Sequence, residues 1–123
     1  MSNEEVVRKF IAAIINEKKP QLAFELYVGD EYIQHNPRIR DGVSGAVDFL
    51  SNFLNALPNV RTDIRRTISE GNFVVVHQHL TWDGSESGLA AIDIFRFVNG
   101  KIIEHWDVIQ EIPKVSLNSN SMF

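Results

Sequence analysis

The stretch "DIFRFVNGKIIEHWDVIQ" (residues 93–110) consists of two β-branched and aromatic runs hinged on Asn99-Gly100, the strongest short-range signal for a β-hairpin. Side chains alternate along a strand, so Asp93 shares its face with Phe95 and Phe97. The facing strand carries Glu104, His105, Trp106 and Asp107 in a row, and the turn decides which of them join Asp93. A two-residue type I′ turn sets Asp93 opposite Trp106, with Glu104 and Trp106 on its face. A three-residue turn with Gly100 at the left-handed bulge position sets Asp93 opposite His105, with His105 and Asp107 on its face. The second register is favoured, because it gathers three polar groups on one side and leaves Ile92, Ile94, Ile102, Trp106 and Val108 as an apolar set on the other. A slip of one residue reverses the assignment.

Working back towards the N-terminus, "VRTDIRRTI" and "NFVVVHQHLTW" have the same strand character and are separated by Glu70-Gly71-Asn72 and by Asp83 to Gly88. Four consecutive strands predict an antiparallel meander. The first half of the chain follows a different period. Ser2 with Glu5 forms a capping box ahead of Val6, Val7, Phe10, Ile11, Ile14 and Ile15, which predicts an amphipathic helix over 3–18. Pro20 opens a second helix through Tyr27, closed by Gly29-Asp30. "EYIQHNP" reads as a short extended segment stopped at Pro37, "RIRDGVSG" as a loop, and 46–57 as a third helix that ends at Pro58. Three helices leading into a curved antiparallel sheet give an α+β fold with room for a cavity between the layers.

The chain has 123 residues, 44% of them hydrophobic, enough for one core and too few for two. Residues 1–112 form the predicted single domain, and 113–123, rich in Ser and Asn, a tail that is partly mobile or docked on a neighbouring subunit. A net charge of −4 argues against nucleic acid as a partner. The absence of cysteine removes thiol nucleophiles and thiolate metal sites and fits the cytoplasm. No basic-then-apolar leader occurs, and no apolar run approaches the roughly 20 residues that cross a bilayer, so no membrane partner is expected.

"YIQHNP" and "DIFRFVNGKIIEHWDVIQ", in this order and separated by a helix and two strands, resemble the SnoaL-like polyketide cyclases of the NTF2-like superfamily, and in particular its predicted aldol-condensation branch. The likeness runs from the first helix to about Ile112. It implies a cone-shaped α+β barrel, a pocket between sheet and helices, and a homodimer through the outer sheet face. It does not imply one reaction, since the superfamily spans cyclases, isomerases, epoxide hydrolases, dehydratases and members without catalysis. By this resemblance Asp107, in "HWD", takes the place of the acid/base aspartate, and Asn36, in "HNP", that of an asparagine positioning substrate or water. Asp93 stands where the cyclases carry a pocket histidine. Gln34, His77, His79 and Phe95 complete the expected substrate-binding set.

A carboxylate in an apolar pocket has its ionised form disfavoured, which moves it towards the range where it exchanges protons with a carbon acid, and an adjacent imidazole trims that shift. Asp107 beside His105, with Asp93 as the second acid, fits such a base. The competing structural reading pairs Asp107 with an arginine such as Arg96. "HQH" at 77–79 also raises a metal site, with His105 or Asp107 as third ligand, but no fourth ligand has a recognisable spacing, and the histidines read better as pocket hydrogen-bond donors. His35 points away from Asn36 and reads as structural. The expected function is therefore a cofactor- and metal-independent enzyme, of isomerase or lyase type, that performs aldol-type cyclisation or isomerisation of a small hydrophobic carbonyl compound. The alternative is a non-catalytic ligand-binding or dimeric interaction domain on the same scaffold.

Overall fold

The computed structural model describes residues 1–85 and 87–123. Helix α1 (Asn3–Ile11) begins at the expected capping box, with the Ser2 side chain accepting from the Glu5 amide and the Glu5 carboxylate accepting from the Ser2 amide. It then widens into a π-helical turn (Ala12–Asn16) instead of continuing as one α-helix to residue 18. Ala13, Ile14 and Ile15 of this turn are all buried. Such turns often mark functional sites. Helix α2 (Pro20–Tyr27) starts at its proline as expected. Helix α3 (Gly42–Ala56) begins four residues earlier than its apolar period indicates, because Asp41 caps it: one carboxylate oxygen accepts from the Gly42 amide and from the Gln34 amide, 2.9 Å away. The loop ahead of α3 passes so close that a Cβ on Gly45 would lie 2.1 Å from the Arg40 carbonyl oxygen, so this position requires glycine.

Strands β2 (Arg61–Glu70), β3 (Phe73–Thr81), β4 (Leu89–Val98) and β5 (Lys101–Glu111) form the expected antiparallel meander. The segment before Pro37 is a full strand, β1 (Val28–Gln34), and it pairs parallel to β5, so the sheet is mixed rather than purely antiparallel. The strand order β1-β5-β4-β3-β2 leaves two free edges, and the curved sheet does not close on itself. The helices cover one face, where Phe10 packs edge-on against Phe24 and Phe95. Val7, Val74, Val76, Phe97 and Ile102 lie at the bottom of this core with essentially no exposure.

The hairpin turn corrects one expectation. Val98 faces Lys101 across Asn99 and Gly100, whose φ angles of 49° and 77° are both positive, which makes the connection a two-residue type I′ turn. The extra residue lies further in: Phe97 faces Ile102 while Arg96 faces Glu104, so Ile103 is a β-bulge within β5. This single insertion restores the parity that the turn alone would have reversed. Asp93 therefore faces Asp107, not His105, yet His105 and Asp107 do share its face, as the polar grouping requires. Glu104 and Trp106 lie on the other side, where Glu104 bonds His35 and Arg96 at 2.7 Å each and Trp106 stacks on His35 with ring centres 4.6 Å apart.

Candidate active site

Between helices and sheet lies a cavity of about 160 Å³. Its walls are apolar: Phe10, Ile14 and Ile15 from the first helical segment, Phe49 and Phe53 from α3, and Leu80 from β3. Apolar cavities near 150 Å³ admit molecules about the size of benzene. Among the described residues the polar groups of the lining gather in one corner, where Tyr32, Gln34 and Asn36 arrive from β1 and its extension, Gln78 from β3, Asp93 from β4, and His105 and Asp107 from β5.

Asp93 and Asp107 are directly opposed in the ladder, which brings two carboxylates onto one buried face. The pair is tolerable because its charge is met by specific donors. Asp93 is 7% exposed, and its oxygens are divided between Gln78 Nε2 at 2.7 Å and His105 Nε2 at 2.9 Å. Gln78 is itself oriented by the Thr62 hydroxyl, which donates to its carbonyl oxygen at 2.6 Å. Asp107 accepts from Asn36 Nδ2 at 2.8 Å with one oxygen, while the other lies 3.8 Å from His105 Nε2, beyond hydrogen-bond reach. Burial pushes the Asp107 carboxyl above its usual range, the His105 charge and the Asn36 bond pull it down, and the neighbouring Asp93 pushes it further up. Burial and the two carboxylates also push the Tyr32 phenol upward, so it remains a proton donor.

Of the expected residues, the structure brings Asp107, Asp93, His105, Asn36, Gln34 and Phe95 together around the cavity, the Phe95 ring lying 4.9 Å from that of His105. It does not bring in His77 and His79. In β3 the buried residues are Val74, Val76, Gln78 and Leu80, so both histidines project from the opposite face of the sheet. There His79 Nε2 donates to the Ser87 carbonyl at 2.7 Å, His77 bonds Arg66, and the ring of Phe123 from the tail lies on both imidazoles, 5.1 Å from His77 and 4.4 Å from His79. The expectation that they line the pocket is thus corrected, and they cannot join His105 or Asp107 around a metal ion. Ligand-type atoms of Asp93, His105 and Asp107 lie within 4.8 Å of one another, and the first two residues are joined by a direct hydrogen bond.

Sequence reading missed Tyr32 and Gln78. Counting back by two from Asn36 gives Gln34 and Tyr32, one face of a single extended segment. For β3, the set containing Val74, Val76 and Leu80 is more apolar than the one containing two histidines, and Gln78 belongs to the first.

No helix among the described residues is long and apolar enough to cross a membrane. Comparison with curated proteins finds no match to the sequence. Solved structures share the fold. TsrD from Streptomyces laurentii superposes with a TM-score of 0.71 at 20% identity, covering 86% of each chain. A candidate polyketide cyclase from Bacillus cereus ATCC 10987 gives 0.73 at 22% identity over 85% of this chain and 71% of its own. An NTF2-like protein of unknown function from Cytophaga hutchinsonii gives 0.70 at 17% identity over 89% and 91%. The profile of the SnoaL-like polyketide cyclases matches residues 5–115, nearly the whole chain, and the protein therefore belongs to the SnoaL-like polyketide cyclase family.

Proposed function

We propose that the protein is an acid/base enzyme that uses its own side chains to carry out aldol-type cyclisation or isomerisation of a small hydrophobic carbonyl compound. One observation carries this reading: Asp107 is a carboxylate at the polar corner of an apolar cavity, shifted upward by burial and, among the described residues, keeping one oxygen free of hydrogen bonds. That oxygen takes a proton from the carbon next to the substrate carbonyl, and the C–H electron pair moves into the carbonyl system to form an enolate. In isomerisation Asp107 returns the same proton at another carbon of the conjugated system. In aldol closure the enolate carbon bonds to a second carbonyl carbon of the same molecule, and the alkoxide formed takes the proton back from Asp107. Both routes leave the enzyme unchanged.

The enolate oxygen needs donors in place before the charge develops. Tyr32 and Asn36 both line the cavity, and we assign this role to the Tyr32 hydroxyl and to the Asn36 amide hydrogen not given to Asp107. Asp93, with both oxygens occupied, orients His105 rather than meeting substrate. The reading includes a homodimer through the outer sheet face, where Ile92 is 40% and Val108 74% exposed beside Trp106.

The test is hydrogen–deuterium exchange next to the carbonyl across a panel of small hydrophobic ketones, followed by NMR. The wild type should catalyse exchange of at least one member, and Asp107→Asn should lose it by about 10²- to 10⁴-fold with binding retained. A ketone that binds in the cavity without exchanging, in wild type and variant alike, would favour a ligand-binding domain. Undiminished exchange in the variant would place the base elsewhere.

A further inference from the structure

We propose that Gln34 is a positioning residue that sets the direction of the hydrogen bonds around the acid/base pair, holding a proton on Nδ1 of His105 and thereby aiming the Nε2 edge at Asp93 and Asp107. The inference rests on the proposed role of Asp107 only for its effect on rate. Its structural content stands apart.

A backbone N–H can only donate. The Asn36 amide lies 3.0 Å from Gln34 Oε1, so the atom it meets must be the oxygen of the side-chain amide, and the orientation of that amide is fixed. The same oxygen lies 2.9 Å from His105 Nδ1. An amide oxygen has no hydrogen to give, so the proton in that bond belongs to Nδ1. The other end of the amide, Nε2, donates to the Tyr32 hydroxyl oxygen at 3.4 Å, which turns the phenol's own hydrogen away from Gln34. Gln34 is in turn held from behind, because its backbone amide is bonded to Asp41, the cap of α3.

With Nδ1 committed, Nε2 is the only ring nitrogen through which His105 exchanges a proton, and it faces Asp93 at 2.9 Å and Asp107 at 3.8 Å. A second proton there makes the ring a cation between two carboxylates, and this charge is what offsets burial at Asp107. Among the described residues, the titratable groups facing Asp107 are Tyr32 from β1, Asp93 from β4 and His105 from its own strand, whereas the helices present phenylalanine, isoleucine and leucine. Glu104 and His35 lie beyond the sheet. Without the Gln34 oxygen, Nδ1 loses its acceptor, and the neutral ring can satisfy Asp93 with a proton on Nε2 alone. The Nδ1 proton then has no acceptor to hold it, and of the two groups that oppose burial at Asp107 only the Asn36 bond is left untouched.

The test needs no substrate. In ¹⁵N- and ¹³C-labelled protein, long-range ¹H–¹⁵N spectra report which ring nitrogens of His105 carry protons, and the Asp107 carboxyl carbon reports its titration midpoint. Nδ1 of the wild type should remain protonated throughout the pH range of the native fold. Gln34→Met should leave the ring proton on Nε2 alone and shift the Asp107 midpoint to higher pH. Gln34→Glu, which keeps an acceptor for both donors, should preserve the Nδ1 proton. A bare Nδ1 in the wild type would overturn the proposal even if Gln34→Met failed to fold, and so would a Gln34→Met protein with the Nδ1 proton retained and the midpoint unmoved. If the spectra behave as expected while Asp107→Asn retains full proton exchange on ketones, the positioning role stands and the assignment of Asp107 as base fails. In an active enzyme, the acid limb of the Gln34→Met pH–rate profile should move with the Asp107 midpoint, a displacement that mere loosening of the fold would not produce.

Discussion

Asp107→Asn should make the protein less active and, at neutral pH, more stable. Burial raises the Asp107 carboxyl above its ordinary value of 3.8, so the folded protein binds this proton more tightly than the unfolded chain does. Between the unfolded and the folded midpoints the native state holds more protons, and its stability falls as pH rises through that window. Above the folded midpoint the destabilisation is complete. Each unit of upward displacement corresponds to about 1.4 kcal/mol, so the ¹³C midpoint of Asp107 predicts the effect without a free parameter. Asparagine keeps the shape and an oxygen for Asn36 Nδ2, now 2.8 Å from Asp107 Oδ1, and removes both the buried charge and its repulsion by Asp93.

Urea denaturation of wild type and variant at several pH values checks this. The variant should be the more stable at pH 7, by an amount that matches the measured midpoint, and the difference should shrink towards zero as pH falls below the unfolded value. A variant less stable than wild type at neutral pH would show that the ionised carboxylate holds the fold together. The argument from desolvation would then be wrong, and the proposed base with it.

Tyr32→Phe keeps the edge-on contact with Phe24, whose ring centre is 5.3 Å away, and should lower turnover by about 10²- to 10³-fold while the unfolding midpoint changes little; steady-state kinetics on any ketone found to exchange will decide. Glu104 has the opposite sign from Asp107: bonds to His35 and Arg96 lower its carboxyl below 4.5, so its contribution is present above that value and lost as pH falls through the folded midpoint. Glu104→Gln should therefore be less stable than wild type at pH 7 and converge with it in acid, as read by thermal melts across pH. Val108→Lys places a charge in the exposed apolar set of the outer face and should convert the expected dimer to a monomer in sedimentation at micromolar concentration, and a wild type that is itself monomeric would contradict the dimer.

Much of this fold is legible in the sequence because its signals are local. The capping box, the three-and-four spacing of Val7, Phe10 and Ile14, and the breaks at Gly71 and Asn99-Gly100 each act over a few residues, and the elements form where those signals place them. What escapes is non-local or a matter of parity. The pairing of β1 with β5 joins segments about 70 residues apart, and nothing in either states which edge the other will take. The two faces of "VVVHQHLT" differ by a single step, and the histidines draw attention to the wrong one. The bulge at Ile103 has no composition of its own. It had to be inferred from the cost of burying Glu104 and Trp106 in place of His105 and Asp107, and that argument finds the face but not the residue that produces it.

The ladder sets Asp93 and Asp107 opposite each other on the same face, so register does not distinguish their roles. Their partners do. Gln78 and His105 occupy both oxygens of Asp93, which leaves it no short path to a substrate proton. Among the described residues Asp107 has only Asn36 within hydrogen-bond distance, and its second oxygen stands just outside the reach of His105. A general base needs an uncommitted lone pair facing the carbon acid and a charged form that its surroundings make uncomfortable. Asp107 combines an uncommitted oxygen with a carboxyl displaced upward by burial. The second carboxylate is still of use there, since Asp93 raises Asp107 by its own charge while anchoring the imidazole whose charge acts in the opposite sense. Three side chains thus set the midpoint of one, and the amides of Asn36, Gln78 and Gln34 decide which one is left free.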